Sequence, residues 1–146
     1  MPEQHISAEL RQRVIERARG CCEYCRSQAK YATQSLSVEH ILARAKGGMT
    51  TPDNLALACQ GCNNHKYDKM EARDPASGRL VPLYHPRRDR WDEHFAWSDD
   101  VTLIIGLTPT GRATVDALLL NRDGVVNLRR LLYMHGEHPP TLPAPH

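Results

Sequence analysis

Two cysteine pairs set the chemistry open to this chain. Cys22-Glu-Tyr-Cys25 and Cys59-Gln-Gly-Cys62 each hold two residues between their cysteines, and 33 residues separate the pairs. A two-residue spacing lets both sulfurs grip one ion from a tight turn, and two such knuckles supply the four thiolates of a closed tetrahedral zinc site. That site needs no histidine or carboxylate and keeps no position for water, so its zinc is structural. Binding it pins the first knuckle to the second and closes a loop that contains Glu39, His40 and Asn54, with Asn63 and Lys66 directly after it. Redox pairing is the competing use of such cysteines, but two separated pairs without thioredoxin-like surroundings fit it poorly. Cys21 is left over. It could replace Cys22 only with a less favoured three-residue spacing, and it reads as a small buried residue.

The elements around these residues follow from pattern. Residues 7–19 predict a helix: Ser7 can cap it, Leu10, Val14 and Ala18 share a face, and Gly20 ends it. Residues 35–42 alternate, with Leu36, Val38, His40 and Leu42 on one side and Ser37, Glu39 and Ile41 on the other, which predicts a short strand. Residues 46–54, punctuated by Gly47, Gly48, Pro52 and Asn54, predict a turn or loop. "LALAC" is too short to classify, and residues 60–70 could be helical from Gly61 onward. Adjacent strand residues point to opposite faces, so Glu39 and His40 can serve one site only where the strand bends or ends.

Taken in order, these pieces resemble the HNH endonucleases, zinc-bearing ββα-metal nucleases. The resemblance rests on Cys22/Cys25, Glu39-His40-Ile41, Gly47-Gly48, Asp53-Asn54-Leu55, and Cys59/Cys62-Asn63 with Lys66, and it covers about residues 21–70. It implies an α+β fold: a ββα-metal core stapled by a four-cysteine zinc site, with flanking helices and a small C-terminal α/β extension. It also implies hydrolysis of DNA phosphodiesters, with RNA a further possible substrate, and a role for Asn54 in steadying the loop and orienting His40.

The residue chemistry agrees with that expectation. Phosphodiester hydrolysis needs a deprotonated water, counter-charge on the phosphate and help for the leaving oxygen. A neutral imidazole can take the water's proton, which makes His40 the expected general base. A divalent cation supplies the charge. The carboxylate of Glu39 and the amide oxygen of Asn63 suit Mg²⁺ or Mn²⁺. Lys66 could reach a phosphate. His65 is the alternative to Asn63; on a helix the two lie about 200° apart, whereas Asn63 and Lys66 share a face. Glu39 stands where the family more often has Asp, and Asn63 where it often has His. A non-catalytic zinc module that binds nucleic acid or protein is the competing function; it needs the cysteines but not Glu39, His40 or Asn63.

Composition sets broad bounds. The 146 residues carry a net charge of +2, with 40% hydrophobic and 25% charged residues, ordinary for a globular chain. Up to Met70 there are ten Lys+Arg against seven Asp+Glu, a modest basic excess that points only weakly to nucleic acid. Phe95 is the only phenylalanine, so no large aromatic core is expected. No apolar run is long enough to span a membrane, and the N-terminus lacks the layout of a secretion signal, which leads to a cytoplasmic expectation.

The sequence divides into an N-terminal helix (1–20), a nuclease core with zinc knuckles (21–72), an extension packing on the core (73–135) and a disordered tail (136–146). Within the extension, residues 74–90 read as a connector, "WDEHFAW" as a helical turn or two, "VTLIIGL" as a strand, and residues 110–120 and 123–133 as helices broken near Asn121. Its Trp-x2-His-Phe and Gly-Arg-Ala-Thr-Val elements resemble an extension on small bacterial HNH proteins. Arg112, at a helix start, and the cluster Arg87, Arg88 and Arg90 could meet an anion or DNA backbone, though structural or solvated roles are the plainer reading. His94, Trp91 and Trp97 are expected to pack the connector onto the core.

Overall fold

The computed structural model describes residues 6–141. Ten of these residues begin the fold as α1 (Ala8–Arg17), where Ser7 accepts the backbone N–H of Leu10 at 3.1 Å and so caps the helix. Two strands follow, β1 (Ser37–His40) and β2 (Leu55–Ala58), paired antiparallel with Glu39 opposite Ala56 and His40 opposite Leu55. A helix, α2 (Gln60–Lys66), starts directly after Cys59. The order strand, strand, helix thus occupies the segment between and around the cysteine pairs.

The hairpin has a buried reason on each side. Val38, Leu55 and Leu57 pack on Val14 of α1 and on Ala18, which caps its end. All four residues of β2 are buried, so "LALA" has the uniform apolar character of a strand covered on both faces. Full burial of Leu55 and Leu57 contributes about 1.5–3 kcal/mol each. The outer edge of β2 is also closed. Glu23 N–H donates to the Leu57 carbonyl at 2.9 Å, and Leu57 N–H donates to the Glu23 carboxylate at 2.8 Å. The Arg17 guanidinium donates to the carbonyls of Pro52 and Leu55 at 2.9 and 2.8 Å.

The second half adds two more antiparallel pairs. β3 (Glu71–Arg73) joins β4 (Leu80–Pro82), and β5 (Phe95–Trp97), which follows the short helix α3 (Trp91–His94), joins β6 (Ile104–Gly106). Helices α4 (Pro109–Ala117) and α5 (Asp123–Met134) complete the described fold, which is a mixed α/β arrangement. Phe95, Ile104, Leu118, Leu120, Leu83 and Tyr84 bury one apolar cluster together with the four knuckle cysteines and Tyr24. Trp91 bonds back to the first knuckle through its indole N–H and the Tyr24 carbonyl at 3.0 Å.

Several elements depart from the sequence reading. β1 stops at His40, and the chain bends at Ile41 and Leu42, so Ile41 turns inward and is buried. The helix after Cys59 ends at Lys66 because Tyr67 adopts φ 53°. The segment expected to be a connector holds a hairpin: Asp74 organises its turn by accepting from Ala76 N–H and the Ser77 hydroxyl. "VTLIIGL" yields only a three-residue strand, since Val101 has φ 57° and Ser98 N–H closes a turn onto the Leu103 carbonyl. Five of the eight aromatics, Tyr24, Tyr84, Trp91, Phe95 and Trp97, form one cluster, with Phe95 at 5.2 Å from both Tyr84 and Trp91. Of the tail expected to be disordered, residues 142–146 lie outside the described residues. Within residues 136–141, His138 is buried, with its Nε2 2.8 Å from the Val101 carbonyl, and Gln28 donates to the Glu137 carbonyl.

Arg112 is committed to a structural pair. Its guanidinium donates twice to Asp74, Nε to Oδ1 and Nη2 to Oδ2, both at 2.9 Å. Asp74 is fully buried, and the Arg112 bonds hold its carboxyl well below the usual range. A depressed carboxyl stabilises the fold above its unfolded value of about 4 and loses that contribution as pH falls through the folded one. Asp74→Asn should therefore melt several degrees lower than the wild type at neutral pH, with the gap closing on acidification below about pH 4. Melting curves across pH 2–7 check this, and equal melting temperatures at pH 7 would count against it.

Candidate metal centre and active site

The first knuckle is a tight turn in which Cys22 N–H donates to the Ser27 carbonyl at 2.8 Å, while Arg26 takes φ 65° and its N–H returns to the Cys22 carbonyl at 3.0 Å. The second knuckle is the opening turn of α2. The Sγ atoms of Cys22, Cys25, Cys59 and Cys62 all lie within 4.8 Å of one another, and Cys25 and Cys59 are 3.6 Å apart. With zinc–sulfur bonds of about 2.3 Å, a tetrahedral site has sulfurs about 3.8 Å apart, so the cluster has the right dimensions and donor set for zinc. Cys21 is buried outside it, with its thiol on the Arg19 carbonyl.

Two arginines that sequence spacing did not single out close the cluster. Arg122 Nη2 lies 3.2 Å from the Cys59 sulfur, and Nη1 lies 3.6 Å from that of Cys62. Buried Arg129 donates to the carbonyls of Thr102 and Leu120 at 2.8 and 2.7 Å and reaches the Cys25 carbonyl at 3.4 Å. Their partners in the knuckles lie 60 or more positions away, too far for periodicity or spacing to connect them.

The end of β1 gathers the other candidates. Glu39 is half-buried; burial pushes its carboxyl up, while Lys66, Ser37 and Arg11 pull it down. His40 Nε2 lies 2.8 Å from the Thr50 hydroxyl, and burial followed by the Arg44 charge holds its imidazole below the ordinary value. Asn54 fastens the loop between: its Oδ1 accepts from Leu42 N–H at 2.9 Å, and its Nδ2 donates to the carbonyls of Leu42 and Met49 at 3.1 and 2.8 Å. The loop can fold back so closely because Gly48 lacks a side chain: a Cβ there would sit 1.8 Å from the Leu42 carbonyl oxygen.

Lys66 corrects one expectation. It is buried rather than extended toward solvent, and its Nζ donates to the Ile41 carbonyl at 2.7 Å. This turns its face of α2 toward the end of β1. Asn63, three residues earlier, shares that face, whereas His65 does not. Glu39 and His40 point to opposite sides of β1 by their register, and among the described residues no hydrogen bond joins His40 to Glu39 or Asn63. The extension's arginines divide: Arg112 and Arg87 are paired with Asp74 and Glu23, while Arg88 and Arg90 are not buried. Thr50 and Arg44 are the neighbours of His40 that the sequence reading missed, hidden in a run that reads only as turn. No helix among the described residues is long and apolar enough to cross a membrane.

Comparison with known proteins adds one finding. Residues 22–69 match the family model described as HNH endonuclease. Neither the curated proteins nor the solved structures give a match. The matched segment runs from the first cysteine of one knuckle past the last of the other and contains Glu39, His40, Asn54, Asn63 and Lys66. The match covers about a third of the chain and supports HNH endonuclease family membership through residues 22–69.

Proposed function

We propose that this protein is a metal-dependent endonuclease that hydrolyses phosphodiester bonds of DNA, and that its four-cysteine cluster holds a structural zinc. The observation that carries the reading is the arrangement at the end of β1. An acid and a histidine sit where the strand stops, beside a loop that Asn54 pins, and Lys66 of α2 donates to the Ile41 carbonyl directly after them.

His40 is the general base. The role requires the tautomer in which Nε2–H donates to Thr50 Oγ1, leaving the lone pair on Nδ1 for a water proton. Glu39 and Asn63 are the oxygen donors for Mg²⁺ or Mn²⁺, which when bound would supply positive charge to the phosphate and the leaving oxygen. Lys66 is a positioning residue: by holding the Ile41 carbonyl it fixes the bend that follows His40. Asn54 fixes the loop that presents Thr50.

The separation of Glu39 and His40 across β1 favours the second reading, a zinc module that binds nucleic acid without cutting it. Plasmid cleavage separates the two. Supercoiled DNA with Mg²⁺ or Mn²⁺ should be nicked by the native chain and, with His40→Ala, about 10²–10⁴-fold more slowly. Equal nicking by both, or none by the native chain, removes the assignment.

The pH profile is a second test. The neutral imidazole is the active form, and its value lies below 6.5, so cleavage should climb with pH below about 6.5 and level off above it. Arg44→Ala removes a repelling charge and should move the rising limb to higher pH. A limb that stays in place would mean that His40 does not set it.

Stability gives a third. Zinc bound only by the folded chain contributes its binding energy to folding. Cys59→Ala should lose the metal and melt on the order of 10 °C lower, while His40→Ala should melt within a degree or two of the native chain. Retention of one zinc per chain by Cys59→Ala would disprove four-thiolate ligation.

A further inference from the structure

The junction between α4 and α5 lies against the second knuckle. Arg122, the residue before α5, projects its guanidinium over the first turn of α2. Besides the sulfurs of Cys59 and Cys62, it donates to the Leu119 carbonyl at 3.0 Å and the Leu118 carbonyl at 3.4 Å, at the end of α4. One group therefore bridges the extension's last two helices and the cysteine cluster.

Gly61 makes room for it. A Cβ at that position would lie 2.5–2.8 Å from three guanidinium atoms of Arg122. Glycine within the first turn of a helix is unfavourable for the helix itself, so its use here is matched by the close approach it permits. Seven residues on, and so on the same face of α5, Arg129 reaches the carbonyl of Cys25 in the first knuckle. Each knuckle thus receives one arginine from the same helical segment.

Four thiolates around a divalent zinc leave two uncompensated negative charges in a buried place. Such charge is costly unless it is paired and hydrogen-bonded. We infer that Arg122 is the charge-compensating partner of the four-thiolate site, and that the extension locks the zinc in place through it. The inference rests on the zinc reading above. Arg122 does not ligate the metal; it acts through the sulfurs of Cys59 and Cys62, as donors around metal ligands do when they fix ligand orientation and retain the ion.

The test uses the full chain loaded with zinc, with stoichiometry fixed by metal analysis, and follows release to an excess of the chromogenic chelator 4-(2-pyridylazo)resorcinol. Arg122→Met should release zinc at least about tenfold faster than the native chain, and Arg122→Lys should recover part of the difference. Gly61→Ala leaves every charge and sulfur in place but displaces the guanidinium, so it should reproduce Arg122→Met; it decides alone if Arg122→Met does not fold. With Co²⁺ in place of zinc, the thiolate-to-metal charge-transfer band should shift in both Arg122→Met and Gly61→Ala. Release rates and bands identical to the native chain's overturn the inference, as does faster release with an unmoved band, which reports general loosening. A native chain that binds no zinc overturns this inference and the zinc reading together; firm zinc with or without Arg122 overturns this one alone.

Discussion

Four cysteine sulfurs brought together in a buried place are the constraint on which the rest of the structure turns. Cys22 and Cys62 are fully buried and Cys25 nearly so, and the sulfurs crowd within 4.8 Å. Thiols so placed do not ionise independently. Burial pushes Cys22 up, whereas hydrogen bonds from the neighbouring cysteines pull Cys25 well down and Cys59 to about 7. A bound cation would replace this competition for protons with a common partner for all four thiolates. Everything between the knuckles is then a closed loop, and the β1–β2 hairpin with Glu39, His40 and Asn54 is its content.

The same closure explains why so small a hairpin is well defined. β1 and β2 have only four residues each, too few to hold a two-stranded sheet unaided. Their apolar face is covered by α1, the outer edge of β2 by Glu23 and Arg17, and the end of β1 by the Lys66 ammonium. Lys66 is informative because burying an ammonium is costly. Burial pushes its proton affinity down, while Asp68 and Glu39 hold it up. The ammonium donates to the Ile41 carbonyl and feels the charges of Asp68 and Glu39, so the bend after His40 is secured by a charged group rather than by packing alone.

Much of this was legible in the sequence where chemistry is local. The cysteine spacing pointed to the cluster, Ser7 and Gly20 bounded the first helix, and the order of motifs implied a strand, a turn and a helix. Reading failed where a single backbone angle or a distant partner decides. Tyr67 with φ 53° ends α2, and Val101 with φ 57° shortens the strand of "VTLIIGL", although neither residue type signals a left-handed turn. The hairpin β3–β4 was hidden by prolines and by Asp74, whose significance depends on Arg112, 38 residues away. Lys66 looked like a phosphate ligand because nothing in "CNNHK" reveals that its ammonium is within reach of Ile41. Arg122 and Arg129 look like ordinary helix-surface arginines until the fold sets them against the knuckles.

On the proposed reading, the arrangement also leaves one side open to a large substrate. β2 offers no free edge, since Glu23 and Arg17 occupy its outward backbone groups, and the cysteine side is filled by the aromatic cluster and α4–α5. The segment from Arg44 to Gly47, which follows the end of β1, is exposed, as is Met49. It carries Arg44, whose charge acts on His40, and Lys46, which pairs with Asp68 at 3.8 Å. On the proposed reading, a phosphodiester backbone meeting the molecule there would encounter the Arg44 charge first and the imidazole next. On the proposed reading Arg44 would act in two ways that point in one direction: it would attract an anionic chain, and its charge adds to burial in lowering the proton affinity of His40.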